Sequence, residues 1–182
     1  MSDTKKKIID IAERLIRTRG YNAFSYKDIA KELNIKNAAI HYHFPAKSDL
    51  GIAVIEKNQT NFADQTSGWI TLSPAQKLEA FIQIYATSKK NNCVCFVGAL
   101  GASYDSLPED MQKSLQNATG EIKQWVEGFL QEGLKDEVFS FKCTTTEMAD
   151  LVITTLAASL ILDKINTRNV FGSVRNALKG VL

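Results

Sequence analysis

One stretch, Phe24 to Leu50, limits what this chain can fold into. It holds two short helical patterns separated by a single turn, then a proline and the start of a third helix. Ser25 is placed to cap the first helix, its hydroxyl accepting from the otherwise free backbone N–H near Asp28. Asp28, three residues on, completes a capping-box-like pair. Ile29, Ala30 and Leu33 form the buried stripe. Asn34 falls where the chain needs a left-handed residue, a conformation Asn tolerates better than most residues with a Cβ. Ile35 anchors the turn from inside, and Asn37 to Phe44 form the second helix. That is the outline of a helix-turn-helix.

The flanking chain reads as helix throughout. Residues 3–19 carry Ile8, Ile9, Ala12, Leu15 and Ile16 at helical spacing, and Gly20 stops them. Lys47-Ser-Asp-Leu50 opens a helix that runs to about Thr66, half in the N-terminal unit and half in the C-terminal one. Ser73 and Pro74 begin another, which Asn91-Asn92 breaks. Cys93 to Ala102 is expected to start a short internal helix, and Leu107-Pro108 to initiate a long one. Gly133 and residues 135–146 read as a loop anchored by Phe139 and Phe141. Thr146 is expected to cap an apolar helix, Met148 to Ile165, and a final helix starts near Arg168. The expected fold is all-α with about nine helices. A helix-turn-helix domain over 1–50 is joined through a shared helix to a larger domain over 51–182.

Charge divides the same way. Residues 1–50 hold ten Lys/Arg against six Asp/Glu, while the rest holds twelve against fourteen. A basic end on a slightly acidic body points to a polyanion partner for the first fifty residues. Hydrophobic content of 45% supports a real core. Three cysteines do not make a secreted disulfide framework, and the polar N-terminus lacks a signal peptide. No apolar run reaches the ~18–20 residues of a membrane span. The expected location is the cytoplasm, with no membrane partner.

Gly20-Tyr21, Asp28-Ile-Ala30 and above all Ile40-His-Tyr-His-Phe-Pro-Ala-Lys47 with Leu50 resemble the N-terminal DNA-binding domain of TetR-family repressors. The resemblance covers about residues 8–55. This chain departs from the family pattern at Lys36, where a Ser or Thr usually caps the recognition helix. It departs also at Ala38-Ala39, where Gly-Thr is frequent, and at His41, where Tyr is usual. The resemblance implies a dimeric regulator of double-stranded DNA with a palindromic operator, released by a small-molecule effector held in the C-terminal domain.

With Ile40 and Phe44 turned inward, the second helix presents Asn37, Ala38, His41 and Tyr42. Small Ala38 and Ala39 permit close approach to a groove floor and contact with a thymine methyl, and Asn37 suits an adenine edge. Tyr42 and His43 are placed for phosphates. Lys36 precedes the helix and joins the candidate DNA contacts. Lys47 opens the next helix, whose N–H groups favour phosphate, and Ser25, Tyr26 and Lys27 open the preceding one. His41 and His43 are two apart, so on a helix they point ~200° away from each other and cannot share a metal ion. No cofactor or metal is expected.

In the C-terminal domain the aromatic residues Phe62, Trp69, Phe81, Tyr85, Phe96, Tyr104, Trp125 and Phe129, with Cys95, are the candidate lining of an effector cavity. Few charges accompany them, so the expected effector is apolar or weakly polar. Cys93-x-Cys95 is expected to be core packing, with a redox or electrophile sensor as the sharper alternative, because Lys89 and Lys90 precede it. A helical interaction protein without DNA function is a third possibility. Both histidines lie in the N-terminal unit, so no His base is available to these thiols and an enzyme is disfavoured. Leu151, Thr155, Ala158 and Leu162, with Val170, Phe171, Val174 and Leu178, are more apolar surface than one small domain covers. They are the expected homodimer interface.

Overall fold

The computed structural model describes residues 3–166 and 168–182. Among these are nine α-helices and no strand: α1 (Asp3–Arg19), α2 (Tyr26–Leu33), α3 (Asn37–His43), α4 (Lys47–Ser67), α5 (Pro74–Lys90), α6 (Phe96–Gly101), α7 (Glu109–Lys135), α8 (Thr145–Ile165) and α9 (Val170–Val181). Short 3-10 turns lie at Tyr21–Ala23 and Tyr104–Ser106. The all-helical expectation holds.

The chain divides into two compact units. One comprises the chain up to Asn61 together with Phe96–Ala118; the other is Phe62–Cys95 with Thr119–Leu182. The boundary expected near residue 50 therefore falls inside α4, a continuous helix that contributes to both units, as α7 also does.

In the first unit, the apolar faces of α1, α2, α3 and α4 meet in a core of Ile8, Ala12, Leu15, Ile29, Ile40, Leu50 and Ile55. Met111 of α7 is fully buried and lies against Gly51, where a Cβ would come within 2.6 Å of the Met111 sulfur. The space a Cβ would take at Gly51 is filled by the tip of the Met111 side chain. Salt bridges fix the outside: Lys57 of α4 meets Asp10 and Glu13 of α1, and Arg14 of α1 meets Glu32 of α2.

Three helices end in one way, and none of them uses glycine. At the end of α2, Ile35 N–H reaches the Ala30 carbonyl and Asn34 N–H the Lys31 carbonyl, with Asn34 left-handed at φ 54°. At α5, Cys93 bonds Ser88 and Asn92 bonds Lys89, with Asn92 at φ 54°. At α7, Val138 bonds Gly133 and Glu137 bonds Leu134, with Glu137 at φ 57°. This is the Schellman pattern, which satisfies carbonyls that the helix leaves open.

The second unit is built on Leu78, Phe81, Ile82, Tyr85, Val126, Phe129, Met148, Val152, Leu156, Phe171 and Leu178. Three sequence expectations are corrected here. Gly133 is not loop but the last turn of α7; a Cβ there would lie 2.0 Å from the Phe139 ring, so the glycine makes room for the returning chain. The cap of α8 is Thr144 rather than Thr146. Its hydroxyl accepts from Glu147 N–H, and the Glu147 carboxylate accepts from Thr144 N–H at 2.8 Å. The helix expected from Cys93 begins at Phe96; residues 93–95 follow the left-handed Asn92 and lie outside any helix.

At the junction of the last two helices, Asp163 of α8 caps α9. Its Oδ1 accepts from Val170 N–H at 2.6 Å and Phe171 N–H at 3.3 Å, while Oδ2 meets Lys89 of α5 at 2.8 Å. Burial acts to raise the Asp163 pKa, but the Lys89 ammonium and the two amides outweigh it, and the net shift is downward.

Candidate nucleic-acid interface

The interface is built on α2, α3 and the turn between them. Ile40 and Phe44 are buried, as the pattern requires, and they fix which face of α3 is left outside. That face carries Ala38, His41 and Tyr42, all exposed; Tyr42 is 83% exposed, the largest value among the big apolar side chains. Asn37, Ala39 and His43 are half-buried. Tyr42 and His43 pack edge to face at 5.1 Å. Lys36 stands at the N-cap of α3 in extended backbone and, lacking a short side-chain oxygen, makes no capping bond.

The start of α2 departs from expectation. Asp28 Oδ2 accepts from both the Ser25 N–H (2.7 Å) and the Ser25 hydroxyl (2.8 Å), which holds the Asp28 carboxyl below its ordinary pKa. The hydroxyl proton expected to meet phosphate is thus spent on the capping pair. Tyr26 is buried, only 8% exposed, and is not a surface residue. Its hydroxyl sits between the carbonyls of Phe44 (2.9 Å) and Ala46 (2.6 Å), tying the start of α2 to the end of α3. Burial, then the nearby Asp49 carboxylate, pushes its phenol up to about 12. Lys27 alone of the three is exposed with no acid paired to it among the described residues. Lys31 and Lys36 share that condition.

Lys47 is the second correction. Its ammonium donates to the carbonyls of Tyr21 (2.6 Å) and Phe24 (2.5 Å) and lies over both rings, 4.7 and 4.2 Å from their centroids. Burial lowers its pKa. Two of its three N–H groups hold the corner between α1 and α2 instead of standing free for phosphate. Asn37 is a third correction: its Oδ1 is buried with no hydrogen-bond partner among the described residues, so bidentate reading of adenine requires the side chain to turn.

This arrangement is a known one. A family model described as "Bacterial regulatory proteins, tetR family" matches residues 8–54, the span of α1 to the first third of α4. The crystal structure of a TetR transcriptional regulator from Legionella pneumophila superimposes with a TM-score of 0.89 at 32% identity, covering 100% of this chain and 98% of that one. The chain belongs to the TetR family. It thereby stands among DNA-binding transcriptional regulators. The transcriptional regulator AcuR of Cereibacter sphaeroides is 27% identical over 113 residues, 59% of this chain and 50% of AcuR. IcaR of Staphylococcus aureus, the negative regulator of the biofilm operon icaADBC, is 46% identical over 46 residues, a quarter of each chain. The matched stretch thus spans half or less of these two curated relatives.

Outside the TetR helix-turn-helix, the expected effector residues are partly gathered. Phe62, Trp69, Phe81, Tyr85, Trp125 and Phe129 form one aromatic cluster, with ring centroids 5.1–6.5 Å apart in tilted and edge contacts. Phe81, Tyr85 and Phe129 are buried, while Phe62, Trp69 and Trp125 are half-exposed. Cys95 packs on the same core, and burial followed by Cys95 raises the Tyr85 phenol far above its usual pKa. Phe96 and Tyr104 belong to the other unit, where the Tyr104 hydroxyl is engaged by Gln116 and its carbonyl by Gln112. The sulfur of Cys93 is buried against the Asn91 carbonyl at 3.4 Å, sealing the end of α5.

The expected dimer residues divide likewise. Leu151, Ala158 and Leu162 of α8 are exposed, and Thr155, Val170 and Val174 are half-buried. Phe171 and Leu178 are 5% and 3% exposed inside the protomer, because α9 turns that face onto the core. They are withdrawn from the interface. Ile161, Ile165, Ala177 and Val181, which the sequence expectation did not include, are also exposed and apolar, at helical spacing from Leu162, Ala158 and Val174.

Proposed function

We propose that this chain is a homodimeric repressor that reads a palindromic operator with α3 and releases it when an apolar or weakly polar small molecule binds the second unit. The observation that carries the reading is the exposed face of α3. Tyr42, His41 and Ala38 project from a helix whose other side is anchored by Ile40, and exposed Lys27 and Lys31 on α2 and Lys36 at the start of α3 have no acid paired to them among the described residues. A large exposed aromatic and exposed lysines on the same helix-turn-helix suit phosphate and groove contact, and a small Ala38 suits close approach.

A single α3 reads a few base pairs. Exposed Leu151, Ala158, Ile161, Leu162 and Ile165 supply an apolar stripe on α8, continued by Ala177 and Val181 on α9, that a two-fold partner would cover. Two copies of α3 about one duplex turn apart, roughly 34–36 Å, would then read two half-sites. IcaR is itself a negative transcriptional regulator.

The effector would enter where Phe62, Trp69 and Trp125 are half-exposed, displacing rings that now fill the space against Phe81 and Phe129. Phe62 lies on α4, the helix that also carries Leu50 of the DNA-binding core. An effector shifts operator affinity only by the difference in its own affinity for the two conformers. The test is fluorescence anisotropy of the pure protein on a duplex enriched from a random-sequence library. Salt-sensitive, palindrome-dependent binding is expected, and its absence rejects the reading.

A further inference from the structure

The chain has two histidines, and both are on α3. His41 is exposed, yet its ring is held from two sides. It packs edge to face on the buried Tyr26 ring, 4.8 Å between centroids at 66°, and its Nδ1 stands 3.4 Å from the Pro45 carbonyl oxygen. A carbonyl only accepts, so that contact is a hydrogen bond when Nδ1 carries the proton. The neutral ring in that tautomer keeps Nε2 as a bare acceptor; the charged ring presents N–H at both nitrogens. On a surface facing DNA the two forms behave oppositely. A bare Nε2 is repelled by phosphate oxygens and by guanine N7 and O6, whereas an N–H donor binds them.

We infer that His41 engages DNA as the imidazolium, donating from Nε2 to an acceptor on the duplex, so that operator binding takes up one proton per protomer. This rests on the DNA-binding reading of α3. The groups around the ring are these. From α2 it meets Tyr26, whose hydroxyl proton is shared between two carbonyls. From the turn and α4 come Asp49, whose Oδ2 takes the Ala46 N–H at 2.8 Å, and Lys47, whose ammonium is engaged with Tyr21 and Phe24. From α1, Lys5 lies over the Phe44 ring. On α3 itself, His43 is half-buried against Tyr42. The negative potential of the duplex favours the charged ring in the complex more than in the free protein.

The experiment is anisotropy at fixed salt from pH 6 to pH 8 on a library-enriched duplex, for the full-length protein and two variants. For the wild type, affinity rises as pH falls, by up to about tenfold per pH unit for each proton taken up. His41→Lys, a permanent cation, keeps tight binding and flattens the pH profile. His41→Gln loses the gain on acidification: its affinity changes little from pH 8 to pH 6, where that of the wild type rises. Far-UV circular dichroism confirms that the variants are folded. On the same duplex, 7-deazaguanine at half-site guanines and methylphosphonates along the half-site backbone distinguish the two acceptors; the lesion that abolishes the pH slope names the partner. A slope that survives in both variants, or a wild-type profile that is flat or inverted, overturns the inference while leaving DNA binding intact. Failure to bind any duplex at any pH overturns the DNA-binding reading itself.

Discussion

The Nζ of Lys47 lies 2.6 Å from the carbonyl oxygen of Tyr21, twenty-six residues earlier in the chain. The lysine that opens α4 thus acts as a tether between that helix and the corner after α1. Tyr26 makes the complementary tie, from α2 to the carbonyls at the end of α3. Tyr26→Phe keeps the ring but takes the hydroxyl donor from the buried Phe44 carbonyl, while the Ala46 carbonyl keeps the Asp49 N–H. It is expected to lower stability by about 1–3 kcal/mol in urea unfolding. Lys47→Met is expected to cost about 1–2 kcal/mol by the same measurement, since the Tyr21 and Phe24 carbonyls lose the ammonium that donates to both.

Gly133 and Phe139 define a second expectation. The missing Cβ is where the Phe139 ring sits, so Gly133→Ala forces the ring out of its place. A loss of about 1–3 kcal/mol in thermal or urea unfolding is expected, as for other overpacked cores. Combining it with Phe139→Leu should recover part of that loss; strict additivity of the two losses would show that the contact is not the cause.

Asp163 ties stability to acid pH. Its folded pKa lies below the ordinary carboxylate value, so its contribution is fully present above the unfolded pKa, near 3.9. That contribution is lost as pH falls through the folded value. Asp163→Asn is therefore expected to unfold at lower urea than the wild type at pH 7. The gap should narrow between pH 4 and pH 3. An unchanged gap across that window would assign the effect to lost hydrogen-bond geometry alone.

The apolar stripe on α8 is tested by charge. Leu151→Glu combined with Leu162→Glu places two carboxylates on exposed positions, so the protomer should fold normally. In analytical ultracentrifugation the double variant is expected to sediment as a monomer where the wild type is a dimer. Operator affinity should fall with it, since two half-sites must be held together. A variant that remains dimeric places the interface elsewhere.

The helix-turn-helix was legible because its signals are local. A capping Ser25 with Asp28, a left-handed Asn34 and buried Ile29 and Ile40 each declare themselves within a few residues, and all stand where expected. The exposure of Tyr42 followed from the same periodicity. The cap of α8 was missed because Thr144, Thr145 and Thr146 are adjacent and only the Glu147 carboxylate, reaching back to Thr144, chooses among them.

What the sequence determined by itself was the helices, their order and the face of α3 that is left outside, for these come from a 3.6-residue period and short-range caps. What only the tertiary structure decided was where long polar side chains end. Tyr26 and Lys47 have the composition of phosphate contacts, yet the oxygens that claim them come from eighteen to twenty-six residues away. Phe171 and Leu178 likewise look like interface residues until α9 turns them onto the core. A hydroxyl or an ammonium bonds to the nearest acceptor in space, and pattern along the chain does not contain that distance.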